Sequence, residues 1–149
     1  MRVLIDGDSC QKRLLIEHLA QERKIPVIIY CTNDHQLQSD YATIKYNDGG
    51  SNRTDNFIYQ DCQKSDIVIT NDIGLASLCL LKNHSVITNY GKLYTKDNIE
   101  AELLQRNIFK AQLKKNKRNH IKQSKEHFDF IKVFISAVIH SENLERSTI

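Results

Sequence analysis

Two short acidic segments stand out in this chain of 149 residues: Asp6-Gly7-Asp8, after the apolar run Val3 to Ile5, and Thr70-Asn71-Asp72, after Ile67 to Ile69. A further carboxylate, Asp55, follows the turn-forming run Asn47-Asp48-Gly49-Gly50-Ser51-Asn52. Taken singly, Asp8 and Asp72 each read as a helix cap. Gathered at one place, carboxylates repel one another and lose hydration, which is costly unless a cation neutralises them. Mg²⁺ or Mn²⁺ suits such a set, because these hard ions take carboxylate oxygens and keep several waters. The chemistry that follows is one- or two-metal phosphodiester hydrolysis. Ser9, Thr70 and Asn71 are then available to orient waters or phosphate oxygens. Asp66, one residue before its apolar run, falls at the opposite end of the strand and reads as structural.

Other chemistries find little support. Neither GxGxxG nor GxxxxGK[ST] occurs, so a dinucleotide fingerprint and a P-loop are both lacking. The four cysteines, Cys10, Cys31, Cys62 and Cys79, form no CxxC pair and sit with no histidine cluster, which argues against zinc and redox motifs and for reduced thiols in the cytoplasm. Cys10, close to a helix start, is the one thiol whose pKa could be lowered, yet it has no identifiable His partner and reads first as a packing residue. No apolar run approaches the roughly 20 residues that span a bilayer. Met1 leads straight into a strand instead of a secretory leader.

Charge is unevenly distributed. Between Lys110 and Lys125 lie seven basic residues and no acidic one, leaving 14 basic against 18 acidic residues elsewhere. The body is acidic and the strip basic, a pairing that suits a polyanionic ligand. Lys114, Lys115, Lys117, Arg118 and Lys122 would neutralise phosphates flanking a cleavage point. A lysine run is also often only a solvated face, and this one contains no aromatic residue for base stacking. Tyr41, Tyr46, Tyr90 and Tyr94 fall near loops and are weaker stacking candidates.

The elements that must position these residues read as strands alternating with helices. Val3 to Ile5 is a strand, a helix from about Ser9 to Arg23 carries Leu14, Leu15, His18 and Leu19 at helical spacing with Ser9 able to cap it, and Val27 to Cys31 is a second strand. Thr43 to Tyr46 and Ser85 to Thr88 are further strands, with helices starting near Thr54, over Ile73 to Lys82, and from Lys96 to about Asn107. After the strip, Phe128, Ile131, Phe134, Ile135 and Val138 form an amphipathic stripe. No internal repeat is read. The expectation is a single α/β domain over residues 1–149: a mostly parallel central sheet in three layers, then the basic strip at 110–125 and a C-terminal helix at 125–145.

The segments VLIDGDSC, GGSNRTDNFI, SDIVITNDIGLASL and NYGKLYTKDNI, in this order and spacing, resemble the bacterial YaiI/YqxD family of uncharacterised proteins over about residues 1 to 110. That family is similar to a branch of the PIN-like nuclease superfamily, whose members set acidic residues at the carboxyl edge of a parallel sheet to hold divalent metal. The resemblance implies a PIN-like, Rossmann-like fold, with Asp6, Asp8, Asp55 and Asp72 as the acidic set. The chain departs from the family in carrying Gln11 where Pro is usual, and Asn116 to Ser124 in place of a Gly-Pro segment.

The expected function is therefore a Mg²⁺- or Mn²⁺-dependent nuclease or phosphodiesterase acting on RNA or single-stranded nucleic acid. In this reading Asp6 and Asp72 bind the ion, and Asp8 and Asp55 hold a second ion or metal-bound water. The alternative is a non-catalytic nucleic-acid-binding module with a vestigial acidic site. A third class, a protein-interaction domain, would use the C-terminal stripe, although that stripe is better suited to packing on the chain's own sheet.

Overall fold

A strand buried on both faces must be apolar throughout, with successive side chains feeding opposite layers. β1 (Val3–Asp6) does this. Val3 and Ile5 enter a core shared with the helices α1 (Arg13–Glu22) and α5 (Phe130–Ser147). Leu4 enters a second core with α2 (Arg53–Asp61), α3 (Ile73–Cys79) and the start of α4 (Ile99–Lys115). The computed structural model describes residues 1–8, 10–32, 37–47, 53–82, 85–115 and 129–147. The remaining strands are β2 (Val27–Thr32), β3 (Thr43–Asn47), β4 (Ile67–Ile69), β5 (Ser85–Ile87) and β6 (Leu93–Tyr94). They form one six-stranded sheet ordered β3-β2-β1-β4-β5-β6, parallel except for β6. The fold is the expected three-layer α/β arrangement. No helix among the described residues is long and apolar enough to cross a membrane.

Several boundaries differ from the sequence reading, each for a tertiary reason. α1 begins at Arg13, with Lys12 at the N-cap, and Ser9 lies outside the described residues. The backbone N–H of Lys12 is instead taken by the Asn89 carboxamide, 77 residues away. The buried face of α1 is Ile16, Leu19 and Ala20, while Leu14 is 71% exposed and His18 is exposed. Two overlapping stripes compete on this helix, and contact with the sheet selects the one that carries Ile16. Glu17 is buried beside it, accepting a hydrogen bond from the Ser39 hydroxyl.

β6 is an unexpected strand. It returns antiparallel on β5 through a turn whose Gly91 has φ of 94°, a conformation that glycine adopts freely. α4 runs on to Lys115, not Asn107, so the first part of the basic strip continues a helix. The C-terminal stripe packs on the chain's own sheet through Phe130, Phe134, Ala137 and Val138. Ile131 is 42% exposed, Ile135 is only partly buried, and Phe128 falls outside the described residues. Asp129 caps α5, accepting the N–H groups of Ile131 at 3.1 Å and Lys132 at 3.3 Å.

Gly7, directly after β1, lies against β2, and its N–H donates to the Tyr30 carbonyl at 2.7 Å. A Cβ at this position would stand 2.7 Å from Ile29 Cγ2 and 2.8 Å from the Tyr30 carbonyl oxygen. Because one of these neighbours is backbone, the clash cannot be relieved by a rotamer change. Gly7→Ala is expected to lower the free energy of urea unfolding by about 1–3 kcal/mol, and a loss below about 0.5 kcal/mol would show that β1 is not held this closely to β2.

Candidate functional site

From β1 the chain proceeds outward to β2 and β3, whereas β4 and β5 lie on the other side of β1. The connections leaving β1 and β4 therefore diverge, opening a crevice beyond their carboxyl ends, the place where open α/β sheets bind ligands. Asp6 ends β1, and Thr70 follows β4. The register Ile5↔Ile69 sets them side by side, and the Thr70 hydroxyl donates to Asp6 Oδ2 at 3.1 Å. The same hydroxyl accepts the backbone N–H of Asp72 at 3.0 Å, so Thr70 is held by two bonds and in turn holds Asp6.

The other carboxylates arrive by separate routes. Asp8 reaches β2 and α2, its Oδ1 accepting the Thr32 N–H and its Oδ2 the Thr54 hydroxyl, each at 3.3 Å. Thr54 also accepts from Asn47 Nδ2 at 2.5 Å, which ties the start of α2 to the end of β3. Asp55 lies in the first turn of α2, where it feels the charges of Asp72, Asp6 and Asp8. Asp72 caps α3, accepting the Leu75 N–H at 3.1 Å, so the capping role read for it singly is realised. Asn71 Oδ1 accepts the N–H of Asn89 at 2.8 Å.

Electrostatics shows that the four aspartates sense one another. Asp6, 6% exposed, has its carboxyl pushed above the ordinary range, chiefly by burial, against the Thr70 hydrogen bond and with the charges of Asp8 and Asp72 adding to the rise. Asp55 is pushed up to about 6, again first by burial and then by the charges of Asp72, Asp6 and Asp8. Clustered carboxylates with raised pKa values fit a cation on charge grounds. Among the described residues no group of three or more His, Cys, Asp or Glu side chains is arranged to hold a metal ion by itself. An ion held here would take one or two protein carboxylates and complete its shell with water and ligand oxygens.

Cys10 is not an activated thiol. Burial pushes its pKa up to about 11, and its Sγ donates to Asn89 Oδ1 at 3.3 Å, so at neutral pH it is a protonated packing group. Asp66 is structural as expected, 2% exposed and paired with Arg2 at 2.6 Å. Ser9, Lys117, Arg118 and Lys122 lie outside the described residues, as do the side chains of Lys114 and Lys115 on α4.

Thr32, Asn47, Thr54 and Asn89 are site residues that sequence reading alone misses. For Asn89 a signal exists: Val-Ile-Thr-Asn occurs at Val68 to Asn71 and again at Val86 to Asn89, a short repeat within the chain. The pairings Val68↔Val86 and Ile69↔Ile87 align the two copies residue for residue, so both end at the same edge.

The raised Asp55 pKa has a definite sign. Its carboxyl titrates near 6 in the fold against an ordinary 3.8, so the folded state keeps the proton between those values. Its favourable contribution is complete below the unfolded value and is lost as the pH rises through the folded one. Asp55→Asn is expected to stabilise the protein in chelator by about 1 kcal/mol at about pH 7.5, a figure reduced for screening at this partly exposed group, and to have no effect at about pH 3.5. Thermal unfolding at the two pH values checks this, and an equal effect at both would remove the electrostatic explanation.

The chain is similar to known proteins over most of its length. Residues 4–138 match the profile described as "Uncharacterized BCR, YaiI/YqxD family". A UPF0178 protein of Clostridium acetobutylicum is 37% identical over 122 residues, 82% of each chain. One from Clostridium perfringens strain 13 is 36% identical over 132 residues, 87% of this chain and 88% of its own, and one from Clostridium tetani is 41% identical over 108 residues, 72% and 74% respectively. No solved structure matches significantly. With nearly the whole described sheet inside the matched span, the chain belongs to the YaiI/YqxD family.

Proposed function

We propose that the protein is a divalent-metal-dependent nuclease or phosphodiesterase of PIN-like type, acting on RNA or single-stranded nucleic acid in the cytoplasm. What supports this reading is that Asp6 and Asp55 are both raised by burial and, beyond that, by the charges of neighbouring aspartates, Asp8 and Asp72 among them. Four free cysteines, three of them buried, support a reducing compartment.

In this reading Asp6 and Asp72 hold Mg²⁺ or Mn²⁺, and Asp8 and Asp55 hold a second ion or its waters. The bound ion supplies a polarised phosphoryl oxygen and an activated water. Thr70 keeps the Asp6 carboxylate oriented through its 3.1 Å hydrogen bond. Lys114, Lys115, Lys117, Arg118 and Lys122 bind flanking phosphates. A second reading has one specific support, the capping bond that Asp72 makes to Leu75, which accounts for that residue without a metal. In that case the chain binds nucleic acid through the basic strip and does not cleave it.

Calorimetry with Mn²⁺ at low salt, on the native protein and on Asp6→Asn/Asp72→Asn, tests the site; binding is expected in the first and lost in the second. Cleavage of labelled RNA and single-stranded DNA in Mn²⁺ is expected to disappear in Asp72→Asn while strand binding persists. Thr70→Val, which removes only the hydroxyl that orients Asp6, is expected to weaken metal affinity by about 10–100-fold. Silent aspartate variants, combined with loss of strand binding on charge reversal in the strip, would transfer the assignment to the non-catalytic reading.

A further inference from the structure

The edge of the sheet has two sides. Asp6 follows Leu4 toward the layer of α2 and α3 and is bonded there by Thr70, whereas Asn89, two residues after Ile87, reaches the start of α1. On the α1 side, Asn89 is 9% exposed, and its carboxamide is fixed by the oxygen arm: Oδ1 accepts the Lys12 N–H at 3.1 Å and Cys10 Sγ at 3.3 Å. The other arm, Nδ2, carries two N–H donors and has no acceptor among the described residues. A buried donor without an acceptor is costly, and a planar carboxamide anchored by one arm at a helix start holds its second arm beside that start. The helix is α1, ten residues long, with no side-chain cap from its own N-cap residue and with first-turn N–H groups that lack intrahelical acceptors. The Cys10 thiol feels the Asp6 carboxylate and, after it, the Arg13 and Lys12 cations.

The geometry points to an anion subsite formed by Asn89 Nδ2 and the first backbone N–H groups of α1, with a phosphate group as its ligand. Convergent, mostly uncharged N–H donors at a helix N-terminus match a tetrahedral oxyanion. The subsite lies across the β1/β4 edge from the carboxylates, so a strand seated over that edge sets one phosphate at Asn89 and the next toward the acidic side. As a seat for a substrate phosphate it rests on the nuclease reading; as an anion site it is tested without metal, and the two fail separately.

The test is a titration of the ¹⁵N-labelled full chain with inorganic phosphate, in chelator, up to the order of tens of millimolar, read by amide NMR. The Asn89 side-chain NH₂ and the backbone N–H signals of Arg13, Leu14 and Leu15 are expected to shift together along one saturating curve. Asn89→Asp keeps an oxygen for Lys12 and replaces the donor with an acceptor, and is expected to bind phosphate about tenfold more weakly or worse. Competition by a thymidine dinucleotide with a 5′-phosphate but not by one without it assigns the seat to a terminal monoester; competition by both assigns it to a bridging diester. Native-protein signals at Asn89 and the α1 start that stay still, or equal affinity in Asn89→Asp, would overturn the subsite, and the first of these readouts needs no variant to fold.

Discussion

Asp66, almost wholly buried, accepts the Arg2 guanidinium at 2.6 Å and the Arg2 backbone N–H at 3.0 Å, while the Ile67 N–H donates to the Arg2 carbonyl at 2.9 Å. These bonds lock the amino ends of β1 and β4 into one register, and everything at their carboxyl ends inherits it. Asp6 meets Thr70 because Val3 meets Ile67 three residues earlier. An ion pair with one partner fully buried is poor evidence for stability in itself. Its value here is alignment, since a one-residue slip would turn Asp6 into the opposite layer and dissolve the crevice.

At the other end of the same strands the electrostatics are unfavourable. Asp6 and Asp55 are held above their ordinary pKa by burial and by the charges of neighbouring aspartates. The fold tolerates this because the acids also serve it locally, Asp8 tying the β1 exit to Thr32 and Thr54 and Asp72 closing the start of α3. Capping and ligand binding are not exclusive, since a carboxylate has two oxygens and about four acceptor positions. The charge concentration is unfavourable on its own and is what would favour the proposed divalent cation.

Across the edge, the Asn89 carboxamide oxygen takes the Lys12 N–H, and α1 has no side-chain cap from its own N-cap residue. Thr70, following β4, bonds Asp6, while Asn89, following β5, bonds the start of α1. The repeated Val-Ile-Thr-Asn begins in each of these adjacent strands.

By itself the sequence determined the alternation of strands and helices, the three-layer arrangement and the four aspartates at strand ends and a helix start, because apolar runs and turn formers are local signals read over a few residues. It did not determine which stripe of α1 faces inward, the existence of β6, the reach of α4, or the partners Thr54, Asn47 and Asn89. Those depend on contacts such as Lys12 with Asn89 and Asp8 with Thr54, 77 and 46 residues apart. Only the tertiary structure decided them, because the acceptor that closes α1 and the hydroxyl that steadies Asp6 are supplied by neighbouring strands, and strand adjacency is a property of the folded sheet rather than of any segment.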